Sequence, residues 1–202
     1  PDESTMQLFD GAQHALLILG QPGAGKTTAM LDLARSVLER AEGDEMVPIP
    51  VVFNLSSYTD DKQALADWLV QKLWAQYSVP SKLAKQWIAH NELALFLDGL
   101  DEVRRELRGG VMAQINRYRS DNFAVWLVIC CRSQEYDELA AAKTTLADLD
   151  TIVLQPLSPD QIDYYLAGLQ GAEPQRLRAA LPGDAALREV AETPLMLNVM
   201  LL

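Results

Sequence analysis

The chain has 202 residues, which is enough for one α/β domain with a small appendage and a sizeable core. Hydrophobic residues make up 49% and charged residues 22%, proportions that exclude a disordered, collagen-like or coiled-coil chain. There are 17 Lys and Arg against 28 Asp and Glu, a net charge of −11 that disfavours nucleic acid or an anionic membrane surface as the direct partner.

Buried strands and amphipathic helices alternate along the chain up to residue 154. Apolar runs predict strands at 15–19, 47–55, 93–97, 123–131 and 151–154. Apolar residues at helical spacing predict helices at 27–41, 63–77, 81–90 and about 103–119. Pro48 and Pro50 confine the start of the second strand to a sheet edge or to the connection before it. This alternation, with unbroken apolar strands, predicts a three-layer αβα sandwich around a parallel sheet.

The composition changes after Leu157. Residues Ser158 to Gln161 form a capping box with Pro at the first helical position, and the chain beyond them is predicted to be helix or turn. We therefore expect an α/β domain over 1–156 and a small helical subdomain over 157–202 that is truncated at its C-terminal end.

The cysteines and the chain ends bear on the cellular context. Cys130 and Cys131 are adjacent within an apolar run, which indicates buried thiols in a reducing compartment and hence a cytoplasmic location. Because the chain opens at Pro1 without an initiator Met and ends at Leu202 inside an apolar stretch, we expect a fragment of a longer protein. The apolar runs are too short to span a bilayer.

The strongest chemical signal is Gly20-Gln-Pro-Gly-Ala-Gly-Lys-Thr-Thr28, which fits the phosphate-loop pattern G-x-x-x-x-G-K-[ST] between a predicted strand and helix. Glycines let successive backbone N–H groups turn inward as an anion nest, and the helix N-terminus adds partial positive charge. Lys26 is expected to reach the β- and γ-phosphates, and Thr27 to ligate Mg²⁺. The predicted nucleotide-binding residues here are Gly20, Gly23, Ala24, Gly25, Lys26, Thr27 and Thr28. A Gly-rich loop before an ordinary helix is the alternative.

Acidic residues follow the predicted strand 93–97. Asp98 lies at its carboxyl end, where α/β sheets bind ligands, and is predicted to hold Mg²⁺ through the water shell of the ion. A carboxylate at Asp101 or Glu102, one short turn later, can orient and deprotonate an attacking water. The alternative is an Asp-Gly hairpin turn with solvated acids, but the residues after Asp101 continue as a helix start rather than a return strand.

Arg132 directly follows the predicted strand 123–131. A planar guanidinium at this place can reach the γ-phosphate of a nucleotide if the strand lies between the two strands that precede the other motifs. A surface arginine paired with Glu135 or Asp137 is an equally good interpretation.

Three segments in this order resemble NACHT domains, a class of STAND P-loop NTPases within the ASCE division. GQPGAGKTT resembles the Walker A motif, LFLDGLDEV the extended Walker B motif and LVICCRSQEY the sensor-1 segment. The small residue after Asp98 and the acids three and four positions beyond it are the most specific part of the resemblance. It implies a sheet order of 2-3-4-1-5, with the sensor strand beside the P-loop strand.

The resemblance extends to the end of the chain. PLSPDQIDYYL resembles the start of the helical subdomain of this family, and the segment from Thr193 resembles the one whose proline, here Pro194, packs against the adenine. From the residues alone, Thr193 and Pro194 predict only an N-cap with Pro at the first helical position.

The function that the resemblance implies is a nucleotide-operated switch. It binds ATP or ADP with Mg²⁺, hydrolyses ATP slowly through the residues above, and uses nucleotide state to control homo-oligomerisation in immune or programmed-death signalling. Sensor and effector domains elsewhere in the same chain are implied partners, and direct binding of nucleic acid or membrane by this segment is not expected. An Asn-Lys-x-Asp element is missing from the sequence, which disfavours a Ras-type GTPase without excluding GTP.

Two other classes of function stay open. One is an AAA+-like motor or a small-molecule kinase, although we find neither an acceptor-binding lid nor a second-region arginine. The other is a binding module that retains its nucleotide without turnover.

Overall fold

A computed structural model describes residues 5–202. Its strands are β1 (Ala15–Gly20), β2 (Ile49–Asn54), β3 (Leu93–Asp98), β4 (Trp126–Arg132) and β5 (Asp150–Leu154). They form one sheet in the order β2-β3-β4-β1-β5, and the pairs β2/β3 and β3/β4 are parallel. The αβα fold and the sheet order inferred from the resemblance are confirmed.

Helices occupy most of the remaining chain. They are α1 (Thr5–Gly11), α2 (Lys26–Gly43), α3 (Leu65–Tyr77), α4 (Ser81–Ala89), α5 (Arg105–Asp121), α6 (Ser133–Ala141), α7 (Pro159–Gly168), α8 (Ala172–Ala180), α9 (Ala185–Ala191) and α10 (Pro194–Val199). Every strand and helix that the sequence predicts overlaps one of these elements. No helix within residues 5–202 is long and apolar enough to cross a membrane.

The described chain packs into two compact units. The first unit comprises the residues up to Leu19 together with Thr27–Val153. The second comprises Leu154–Leu202 together with the loop Gly20–Lys26, which is distant from it in the sequence. The domain boundary at residue 156 stays a prediction, and the sequence patterns do not assign the loop to the second unit.

The core of the first unit surrounds the central strands. Residues 93–97 of β3 and 127–131 of β4 are all buried, which is why these strands are unbroken apolar runs. Trp68 of α3, 2% exposed, packs in this core as its position on the apolar stripe predicts, whereas Trp74 is 60% exposed. Cys130 and Cys131 are buried thiols, in agreement with the sequence.

Strand β2 lies at the edge of the sheet, as its prolines predict. Pro50 has no N–H to offer there, and the N–H and C=O of Val52 are both engaged by one side chain. The Tyr77 hydroxyl accepts a hydrogen bond from the Val52 N–H at 3.1 Å and donates to the Val52 carbonyl at 3.2 Å. The outer edge is thereby blocked against pairing with another strand.

The second unit has its own small core. Its buried side chains are Ile162, Leu166, Leu181, Ala191 and Leu197. The predicted capping box begins α7, since Ser158 Oγ accepts from the Gln161 N–H at 3.2 Å and Gln161 Oε1 accepts from the Ser158 N–H at 2.9 Å.

Helices α1 and α6 have no counterpart in the predicted elements. Phe9 is the one side chain of α1 that is buried, and α6 has none. Neither helix therefore carries the apolar stripe from which a helix is predicted.

Candidate functional site

The loop between β1 and α2 curls back on itself. Gly23 and Gly25 have φ of 75° and 88°, the left-handed region that glycine enters most easily. The Lys26 ammonium donates to the carbonyls of Gly20 and Gln21, each at 3.0 Å, and so closes the curl. A lysine folded over a glycine-rich turn at a helix start is the arrangement that holds phosphate oxygens in P-loops.

Gly23 also contacts the segment that begins α10, within the second unit. A Cβ at Gly23 would lie 2.8 Å from Thr193 Cγ2 and 3.0 Å from Leu195 Cβ, and the Leu195 N–H donates to the Gly23 carbonyl at 3.3 Å. Thr193 is the N-cap residue of α10 and Pro194 follows it at the start of the helix, as the sequence predicts. Glycine is therefore needed at position 23 both for the turn and for this close approach.

A cavity of about 80 Å³ lies between this loop and the C-terminal helices of the second unit. Its lining residues are Gln21, Ala24, Leu154, Pro156, Glu189, Glu192, Thr193 and Pro194. It is much smaller than the roughly 300 to 1,000 Å³ of typical ligand pockets. A nucleobase bound beside Pro194 would require the lining to move apart.

In the first unit, Thr27 and Asp98 lie side by side although 71 positions separate them. Thr27 Oγ1, in the first turn of α2, donates to Asp98 Oδ2 at the end of β3 over 2.7 Å. A hydroxyl and a carboxylate are hard oxygen donors of the kind that Mg²⁺ prefers. These two residues therefore fit a magnesium ion.

The backbone at the residue after Asp98 favours glycine, and its Cβ position lies against the carboxylate of Glu102. Gly99 has a φ of 72°, and a Cβ there would lie 2.9 Å from both Cδ and Oε2 of Glu102. Glu102 Oε2 in turn accepts a hydrogen bond from Asn54 Nδ2 at 2.8 Å. The small residue of the extended Walker B motif thus leaves room for the glutamate to fold back.

Asn54 lies at the candidate site although no sequence motif indicates it. It ends β2, and in the parallel register it is the direct partner of Asp98 at the end of β3. A polar residue at the carboxyl end of the neighbouring strand is the signal that identifies it, but only when the order and register of the strands are known.

Asp101 makes both of its side-chain contacts with one residue. Its Oδ1 accepts from the backbone N–H of Arg132 at 3.1 Å, and its Oδ2 lies 2.9 Å from Arg132 Nε. Arg132 Nη1 is 3.7 Å from Glu135, the weaker of the contacts. The pair with Glu135 proposed from the sequence is therefore present, but Asp101 is the principal partner.

The backbone of the turn that carries Asp101 is anchored as well. Arg108, from the first turns of α5, donates to the carbonyl of Asp101 and, at 2.8 Å, to that of Val103. Arg108 therefore braces the turn that carries Asp101.

The predicted residues are divided between the two units. The first unit brings Thr27, Asp98, Asp101, Glu102 and Arg132 to the carboxyl ends of its strands, with Thr28 exposed on α2. The second unit contains the loop up to Lys26 and also Pro194.

A model of the family described as "NACHT domain" matches residues 14–170, well over half of the chain. The chain belongs to the NACHT domain family. As a NACHT domain it is a P-loop NTPase signalling module, and its Walker A, Walker B and sensor-1 segments all lie inside the matched range. Pro194 lies beyond that range. No curated protein matches the chain.

Proposed function

We propose that this NACHT domain binds ATP or ADP with Mg²⁺ and hydrolyses ATP slowly, so that nucleotide state switches its conformation and self-association. The observation that carries the proposal is the 2.7 Å contact between Thr27 Oγ1, directly after the phosphate-loop lysine, and the Asp98 carboxylate. Two oxygen donors that fit Mg²⁺, in a chain that also contains a P-loop sequence, suit a metal-bound triphosphate.

Mg²⁺ bound by Thr27 and Asp98 would neutralise phosphate charge. The Lys26 ammonium would add to the positive charge of the metal. When a nucleotide binds, it would leave the carbonyls of Gly20 and Gln21 and donate to phosphate oxygens instead. Because the whole chain has a net charge of −11, this local supply of positive charge is what permits a polyanion to bind.

Glu102 is the residue best suited to hold the attacking water. Its side chain is exposed, and its carboxylate accepts a hydrogen bond from Asn54 at 2.8 Å. The exposed carboxylate can therefore accept a hydrogen bond from water and take its proton as the oxygen attacks phosphorus.

The wider role follows from the family. A switch of this kind would control homo-oligomer formation and signalling in a cytoplasmic defence or programmed-death response, in concert with sensor and effector domains of the same chain. Nucleotide state would act by changing the arrangement of the helical segment beyond residue 156.

Phosphate release by the purified domain tests the proposal, with nucleotide released by acid identified in parallel. Lys26→Ala and Asp98→Asn are expected to lose both Mg²⁺-dependent nucleotide binding and turnover. Lys82→Ala, which removes an exposed lysine from α4, is the matched control and should behave as wild type. Turnover that survives Lys26→Ala would refute the site, and tight nucleotide binding without any turnover would refute hydrolysis in favour of a nucleotide-retaining module.

A further inference from the structure

The Asp101 carboxylate is placed differently from that of its neighbour Glu102. The Asp101 side chain is 7% exposed, and both of its oxygens contact Arg132. Glu102 is exposed and reaches Asn54. A general base must present a free oxygen to water, which Glu102 does and Asp101 does not.

The two carboxylate oxygens of Asp101 bind different parts of Arg132. One oxygen binds the backbone N–H of Arg132, which sets the place where β4 ends, and the other binds Nε at 2.9 Å, which sets the direction of the side chain. A guanidinium has five N–H donors, and a bond at Nε occupies one of them. Nη1 lies 3.7 Å from a Glu135 oxygen, which is beyond hydrogen-bond distance, so the two terminal NH₂ groups can still form the planar fork that suits phosphate oxygens.

We propose that Asp101 is a positioning residue that orients Arg132 to distinguish a triphosphate from a diphosphate, and that Glu102 alone is the general base. The proposal rests on the function proposed above. The anchoring of the Asp101 and Val103 carbonyls by Arg108 supports it, because a braced turn holds the carboxylate in one place.

The first test is the affinity of the domain for ADP and for a non-hydrolysable ATP analogue, each with Mg²⁺, measured by titration calorimetry. Asp101→Asn and Arg132→Ala are both expected to reduce the preference for the triphosphate by roughly ten- to a hundredfold, the size of one hydrogen bond to a charged group. The double variant should lose no more than either single one, because the two residues act as a unit. Glu102→Gln should keep the preference while it lowers kcat by about 10²- to 10⁴-fold.

The pH profile of kcat is the second readout. If Asp101 only positions Arg132, Asp101→Asn lowers kcat but keeps the fall of activity at acid pH that reports the general base. Loss of that acid limb in Asp101→Asn, with the triphosphate preference unchanged, would overturn the proposal and make Asp101 the base.

A third measurement does not depend on nucleotide. In ¹⁵N-labelled protein, the Arg132 Nε–H should exchange slowly with water, and this protection should be lost in Asp101→Asn but not in Glu102→Gln. An Arg132 Nε–H that is unprotected in the wild type would refute the pairing itself, whereas protection without any nucleotide binding would refute only the proposed function. Circular dichroism melting of each variant identifies any that fails to fold, and Arg132→Ala then tests the pair from its other side.

Discussion

At the scale of single residues, glycine occupies positions where the chain packs closely against itself. Gly99 and Gly23 both have positive φ, and at both positions a side chain would meet another residue within 3.0 Å. Gly25 shares the positive φ, yet its Cβ position is open. Close packing therefore adds to the need for glycine at 23, and at 99 a side chain would displace the Glu102 carboxylate.

We expect Gly99→Ala to impair hydrolysis more than nucleotide binding. An alanine at φ 72° carries a strain of about 1 to 2 kcal/mol, and its Cβ displaces the Glu102 carboxylate from Asn54. Parallel measurements of kcat and of the Kd for ADP test this. A variant in which both quantities change by the same factor would show that the glycine supports the fold of the loop rather than the placement of Glu102.

At the scale of elements, α5 contains two adjacent glycines in opposite surroundings. Gly109 has no atom within 4 Å of its Cβ position, whereas a Cβ at Gly110 would collide with the side chain of Asp61. The Asp61 carbonyl is itself bound by Gln114 at 3.1 Å, so the loop cannot easily move away.

The two glycines predict opposite changes in stability. Gly109→Ala should raise the free energy of unfolding by about 0.5 to 1 kcal/mol, the usual gain of alanine over glycine inside a helix. Gly110→Ala should lower it because the methyl group meets Asp61. Urea unfolding of both variants measures these changes in the free energy of unfolding. Equal effects at the two positions would contradict the close packing of the Asp61 loop on α5.

The edge strand β2 depends on a hydroxyl group from α3. Tyr77→Phe removes both hydrogen bonds to Val52, so we expect a loss of about 1 kcal/mol in unfolding free energy and a greater tendency to self-associate through the exposed edge. Chemical unfolding and light scattering measure the two effects. Tyr164→Phe, at a hydroxyl on the exposed face of α7, is the control and should change neither.

At the scale of the whole molecule, the dependence of stability on pH involves a cluster of aromatic and ionisable side chains at α1. His14 stacks on Trp126 with ring centroids 3.8 Å apart, meets the edge of Phe9, and lies 3.3 Å from Asp10. Asp10 in turn forms two 2.9 Å hydrogen bonds with Arg40 of α2. Burial lowers the pKa of His14 below its ordinary value, although the Asp10 carboxylate opposes the shift.

The stability of the domain should consequently fall as the pH drops below about 6.5. The folded state favours neutral His14, so the unfolded chain binds more protons just below the ordinary histidine pKa, and stability rises with pH through that window. His14→Asn, which tolerates the positive φ at this position, should flatten the dependence of Tm between pH 5 and 7. His90→Asn is the control, and a pH dependence that survives unchanged in His14→Asn would refute the assignment.

The sequence by itself determined the order of the strands and most helices and the Walker A and extended Walker B motifs, because these depend on local periodicity and on contiguous motifs. It left Asp101 and Glu102 equivalent, offered Arg132 only its neighbours in the chain as partners, and did not identify Asn54. The tertiary structure decided which partners these side chains contact. Asn54 and Glu102 are 48 positions apart and Asp101 and Arg132 are 31 apart, so their contacts arise only once the strands are placed in order and register. Helices α1 and α6 were not predicted either, because neither has an apolar stripe of its own: Phe9 is the buried side chain of α1, and Tyr136 and Leu139 of α6 are only partly buried against the core.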